Sequence, residues 1–214
     1  MWKSGLYQDA GCDSRDILFA FSSNVNERKL RMEPSDEKAV SATIAWLERF
    51  VIGLNLCPFA RAIHVKNQIR YVVSHARKSS ILLEDLRQEL ISFAGCSADQ
   101  VDSVLLIHPH ALNDFANYSG FLELCNLLIA ELDLEGVVQI ASFHPDYQFA
   151  ETEAEDVTNY TNRSPYPMLH LLRESSVTRA LESFPNSENI VNRNISLMKA
   201  MGKAKLDELC LFFD

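Results

Sequence analysis

From Gln68 to Phe143 the chain alternates short β-rich runs with longer amphipathic ones, and this alternation limits the fold more than any other feature. QIRYVVS (Gln68 to Ser74), SVLLI (Ser103 to Ile107) and VVQIASF (Val137 to Phe143) carry the β-branched and apolar content of strands. SVLLI is apolar after its serine, as expected of a strand covered on both faces. Between these runs, Leu83, Leu86, Leu90 and Phe93 share one helical face after Ser79 and Ser80, with Gly95 as the stop. Tyr118, Phe121, Leu122, Cys125, Leu128, Ile129 and Leu132 do the same after a cap at Asn113 or Asp114, with Gly136 at the end. Strand, helix, strand, helix, strand, with connections long enough for parallel crossovers, predicts an α/β fold. The expected core is a small, mostly parallel sheet of about three strands, wound right-handed and flanked by helices.

Outside that segment the helical signals continue. Pro34-Ser35-Asp36-Glu37 opens a helix whose Val40, Ile44, Leu47, Val51 and Leu54 form a stripe, weakened near its end by Gly53. Pro58 is expected at the first turn of a short second helix, with Cys57 at or beside its N-cap. Ser164-Pro165 has the cap-then-proline pattern of a third start, predicting a helix to about Phe184. After the break at Pro185-Asn186-Ser187, Ile190 to Met201 reads as a last helix closed by Gly202, so the C-terminal part is expected to be helical. Residues 1–31 lack sustained periodicity and are expected to be a disordered extension or a misassigned start ahead of Met32. Residues 32–214 then form a single domain, since no repeat or linker divides them.

Charge and cysteine usage narrow the function classes. A formal net charge of -9 argues against nucleic acid as a partner, because phosphate binding requires clustered Lys and Arg. The five cysteines, Cys12, Cys57, Cys96, Cys125 and Cys210, are odd in number and have no CxxC or zinc-finger spacing. They fit reduced thiols, and a cytoplasmic location is expected. No apolar run approaches the roughly 20 residues needed to span a bilayer, and the N-terminus lacks a signal peptide's basic start, so no membrane partner is expected. No Walker A loop, GxGxxG, GxSxG or kinase signature occurs, and nothing names a cofactor or fixes the oligomeric state.

The polar residues that chemistry would use concentrate between His144 and Glu174. HPDYQFA contributes His144 and Asp146; NYTNRSPYPMLHLLRE contributes Asn159, Asn162, Arg163, His170, Arg173 and Glu174. On a helix beginning at Ser164, His170, Arg173 and Glu174 would share one face. Arg163 and Arg173 would offer forked donors to an anion, supported by the asparagine amides and the helix N-terminus. His144 would act as general acid or base, oriented by Asp146. Cys57 would be a nucleophile if the helix N-terminus stabilises its thiolate and a histidine lies close. The bland alternative is a structural network of caps and ion pairs. A separate pattern is that each predicted strand ends at a histidine, His75, His108 or His144, so three imidazoles at one sheet edge would meet there as metal ligands or simply bond nearby carbonyls.

GLNLCPFA (Gly53 to Ala60), HPDYQFA (His144 to Ala150) and NYTNRSPYPMLHLLRE (Asn159 to Glu174) resemble the bacterial domain of unknown function family 1415, over roughly Asp36 to Gly202. The resemblance implies a single intracellular bacterial-type domain and carries no activity, cofactor or catalytic assignment. The leading expectation is therefore an enzyme acting on a small anionic metabolite at the carboxyl edge of the sheet, with Cys57, His144, Arg163 and His170 converging on one pocket. The alternatives are a non-catalytic ligand-binding or interaction domain and a histidine-ligated metal protein.

Overall fold

The computed structural model describes residues 34–183 and 189–210. The expectations for residues 1–31 and for the break at 185–187 lie outside the described residues. The chain divides into two units, Met1–Glu37 and Lys38–Asp214, and the second carries the sheet.

Helix α1 (Pro34–Trp46) continues into a π-helical turn, Leu47–Ile52. The widened turn is closed by the Gly53 N–H on the Glu48 carbonyl at 2.9 Å and the Leu56 N–H on that of Val51 at 2.8 Å. Gly53 permits this closure, because a Cβ there would lie 2.1 Å from the Arg49 carbonyl oxygen. There follow α2 (Ala60–Val65), β1 (Ile69–Val73), α3 (Ser79–Gly95), β2 (Ser103–Ile107), α4 (Phe115–Glu131) and β3 (Val138–Phe143). A 3-10 turn (Val157–Asn162) leads to β4 (Met168–Arg173), α5 (Glu174–Ser183) and α6 (Ile190–Cys210). Asp114 caps α4, its carboxylate accepting the Asn117 N–H at 2.9 Å. Gly202, at φ +71°, kinks α6, so the helix resumes beyond the expected stop.

The sheet differs from the expected one in strand number and direction. It has four strands in the order β1-β2-β4-β3. β1 and β2 are parallel, whereas β4 runs antiparallel to both of its neighbours, so the sheet is mixed. The expected helix over 164–184 is therefore a strand followed by a helix. The physical reason is local. Pro167 disfavours the α conformation at Tyr166 and so opposes a helix started at Pro165, and the apolar run Met168–Leu172 is extended and paired on both sides.

This insertion makes β2 and β4 the central strands. Every residue of β2 is buried, while the edge strand β1 is only partly covered along its length. One sheet face presents Val104, Leu106, Leu169 and Leu171 to Leu82, Leu86, Leu90 and Phe93 of α3 and Tyr118, Phe121, Cys125 and Leu128 of α4. The other presents Leu105, Ile107 and Met168 to Trp46, Phe50 and Val51 of α1 and the π turn, and to Met198 and Leu206 of α6. Leu172 on that face packs with Phe59 and Ile63 at α2. Two buried apolar layers on a central sheet supply the dominant stabilisation. Among the described residues no helix is long and apolar enough to cross a membrane.

Candidate functional site

The polar segment after β3 spends its hydrogen-bonding capacity on its own main chain. Asn159, 0 % exposed, accepts the Phe149 N–H at 3.1 Å and the Thr152 hydroxyl at 2.8 Å, and donates to the Glu153 carbonyl at 2.8 Å. Asn162 donates to the Ser142 carbonyl at 3.1 Å. Arg163 donates to the carbonyls of Tyr147 and Ala154, lies 4.6 Å over the Tyr160 ring, and accepts the Trp46 indole N–H on its own carbonyl at 2.9 Å. Irregular backbone at a sheet edge lacks ladder partners, and these side chains supply them. Truncating Asn159 to alanine is expected to cost about 2 kcal/mol, by removing three hydrogen bonds at once and leaving the Phe149 N–H without its acceptor. Limited proteolysis should then cut faster between residues 149 and 158.

The strand geometry of β4 separates the residues expected on one helical face. His170 and Arg173 are three positions apart on a strand, so they project to opposite sides of the sheet. His170 lies across from Ala141 and Leu105, with its Nε2 2.5 Å from the Ser103 hydroxyl, and burial pushes its imidazole down to about 4. Arg173 turns toward α3, where it donates to the carbonyls of Phe93, Cys96 and Val101 and stacks 4.3 Å over the Phe93 ring. Glu174 begins α5, its N–H bonded to the Val137 carbonyl.

Cys57 precedes α2 by three residues, so the helix starts later than Pro58. Burial raises its thiol pKa, and hydrogen bonds from the Ala60 and Phe59 N–H groups offset only part of that. The sulfur is thus held as a thiol. It packs among the apolar residues at α2 on the sheet face that carries His170. Neither of the two clefts described below is lined by Cys57, His144, Arg163 or His170.

The strand-end histidines have distinct surroundings. His75 is exposed, whereas His108 and His144 are 0 % exposed. His144 Nδ1 accepts the Asp146 N–H at 3.0 Å, so its Nε2 carries the proton and donates to the Leu112 carbonyl at 3.1 Å. The main chain of Asp146, rather than its exposed carboxylate, thereby orients the ring. His108 Nδ1 donates to the Ala111 carbonyl at 2.9 Å, leaving Nε2 buried without a partner. Burial pushes His108 down to about 4 and lowers His144 as well, the latter against bonds to the Leu112 loop and the charges of Asp146 and Asp114. Among the described residues no group of three or more His, Cys, Asp or Glu is arranged to hold a metal ion.

Those two imidazoles pin consecutive carbonyls of one loop, and that loop contains Leu112 at φ +57°. A leucine in the left-handed region costs about 1–3 kcal/mol and persists only where its surroundings impose it. The imposed turn forms one wall of a cleft of about 530 Å³ at the carboxyl ends of β1 and β2. Arg77 from the loop after β1 and Ser79 at the start of α3 line it together with Asn113, Asn117 and Phe121. The histidine that ends each strand is visible in sequence, but the polar groups lining the cleft lie two to nine positions further on and Phe121 lies thirteen beyond His108. Only the position of the loops, which is a property of the sheet, could single them out.

The family model for the protein of unknown function family DUF1415 matches residues 38–208, and the chain belongs to that family. No curated protein and no solved structure matches the chain.

Proposed function

We propose that this member of the DUF1415 family binds a small anionic metabolite in the cleft at the carboxyl ends of β1 and β2. The observation that carries the reading is the left-handed Leu112 turn, held by two buried histidines, because rigidly imposed strain on a cleft wall is a mark of a preformed site. Arg77 supplies a planar fork for a carboxylate or phosphate, the amides of Asn113 and Asn117 and the Ser79 hydroxyl add neutral donors, and the Asp114 carboxylate is the one opposing charge on the lining. Leu112, Phe121 and Leu124 line an apolar side, which suits a compact organic acid better than a bare ion. In a chain of net charge -9, a local cation is what such a ligand requires.

Two forms of this reading differ in whether turnover occurs. As an enzyme, the chain would use Asp114 for proton transfer, since only one of its oxygens caps α4, and His144 would position the loop without touching the reacting atoms. As a carrier or sensor, it would bind and release the same anion unchanged. One observation favours the second form. His144, Arg163 and Arg173, the strongest catalytic and anion-binding residue types in the chain, are all committed to main-chain partners.

Thermal-shift measurements with phosphate, short monocarboxylates and dicarboxylates test the site. The wild type should gain melting temperature with at least one anion class, and Arg77→Ala should weaken that binding roughly tenfold, equivalent to about 1.4 kcal/mol. A gain that survives intact in both Arg77→Ala and Asn117→Ala would place the ligand elsewhere. Product analysis of the same mixtures separates enzyme from binder.

A further inference from the structure

We propose a second binding site, on the opposite edge of the sheet, for an α-amino acid with an apolar side chain. A cleft of about 620 Å³ lies between α2 and α5, at the amino ends of β1 and β2, within the size range of small-molecule pockets. It is independent of the carboxyl-edge cleft and shares no lining residue with it.

Asp102 marks the site. This carboxylate is 7 % exposed, yet it lines the cleft. Its Oδ1 accepts the Ser176 hydroxyl at 2.6 Å and lies 3.9 Å from Arg173 Nε, whose guanidinium is committed to three carbonyls. Among the described residues no hydrogen bond reaches its Oδ2. A carboxylate has about four acceptor positions, and one removed this far from water needs them filled. A ligand ammonium supplies donors and charge together.

The remaining lining determines the rest of the ligand. Lys66 and Arg179 bring two positive charges to the cleft, balancing Asp99 and Asp102. Such a balanced lining disfavours a simple amine, which Lys66 and Arg179 would repel, and a simple acid, which Asp99 and Asp102 would repel. A zwitterion satisfies both signs, its ammonium on Asp102 and its carboxylate toward Lys66, beside the Arg179 guanidinium that donates to the Ser176 hydroxyl oxygen at 2.8 Å. Phe59, Ile63 and Ala180 form the apolar wall against which a leucine or phenylalanine side chain would pack.

Isothermal titration calorimetry of the full chain with L-leucine and L-phenylalanine is the test, with phenethylamine and 3-phenylpropionate as the two half-ligands. At least one amino acid should bind, with the half-ligands roughly tenfold weaker or more. Asp102→Asn should weaken binding by a similar factor. Because Asp102 also holds Ser176, Ala62→Trp provides the second variant: Ala62 is exposed on α2 and lines the cleft, so the indole fills the space without disturbing the buried pair. It should abolish binding with an unchanged melting temperature, while Arg77→Ala should leave amino-acid binding intact. No heat with either amino acid, a half-ligand that binds as well as the zwitterion, or binding that survives Ala62→Trp would each overturn the proposal.

Discussion

Truncation of Arg173 to alanine is expected to destabilise the fold by about 3–5 kcal/mol, the range found when one partner of a buried charged network is removed. Arg173 is 9 % exposed, and its guanidinium is the common acceptor-filling group for the end of α3 and the loop that enters β2, through the carbonyls of Phe93, Cys96 and Val101. Removing it takes a donor from each of those carbonyls, of which Phe93's keeps the Cys96 N–H at 3.2 Å, takes away the cation 3.9 Å from Asp102 and uncovers the Phe93 ring. Arg173→Lys should recover less than half of the loss, since one ammonium cannot reproduce a planar fork spread over three acceptors. Arg163→Ala, whose guanidinium serves two carbonyls of a partly exposed loop, should cost about 1 kcal/mol. Urea denaturation measures all three. An unchanged midpoint for Arg173→Ala would return this residue to the list of candidate ligand contacts.

Acidification is the second large effect. Burial pushes the His108 imidazole from the ordinary 6.5 of the unfolded chain down to about 4 in the fold, where a proton on its Nε2 would have no acceptor. Between those two values the unfolded chain binds more protons than the folded one, so stability is complete above 6.5, declines as the pH falls through the window, and has lost its full share below 4. For His108 this share is roughly 3 kcal/mol. His144 adds in the same direction, since burial lowers it too and a second proton would set its Nδ1 against the Asp146 N–H. Chemical denaturation at pH 7, 5.5 and 4.5 should show the decline. His108→Asn retains a donor toward the Ala111 carbonyl but cannot titrate, so its slope across the window should be visibly shallower. Equal slopes would show that His108 is not the group responsible.

Much of the sheet was legible in the sequence because its signals agree at each level. For β2 and α4, apolar content, cap and stop all point the same way: SVLLI is strand throughout, and Asp114 caps where expected. β4 was not legible because MLHLLR suits either state, and leucine content with Ser164-Pro165 ahead of it favours a helix reading. The deciding residue is Pro167, whose effect falls on Tyr166 and is easily outweighed by the more familiar start signal. The site was less legible for a different reason. A dense run of Asn, Arg and His signals many hydrogen bonds without saying to whom, and in the long connection from β3 to β4 the recipients are main-chain groups of the connection itself and of the end of β3. The groups that line the two clefts, Arg77 and Asn113 on one edge and Asp102 and Ser176 on the other, are scattered singly through the chain and are assembled only by the sheet.

The position of β4 also sets the order in which the molecule can be finished during synthesis. The last strand to leave the ribosome lies in the interior of the sheet, between β2 and β3. Until residues 168–173 emerge, β3 has no hydrogen-bonded neighbour and the flank of β2 that receives β4 stays open. A nascent chain stalled before Met168 therefore exposes two unpaired strand flanks, the condition under which chains associate with one another. The completed sheet is protected by its last strand, and any fragment ending ahead of it should behave as a chaperone client rather than as a smaller stable domain.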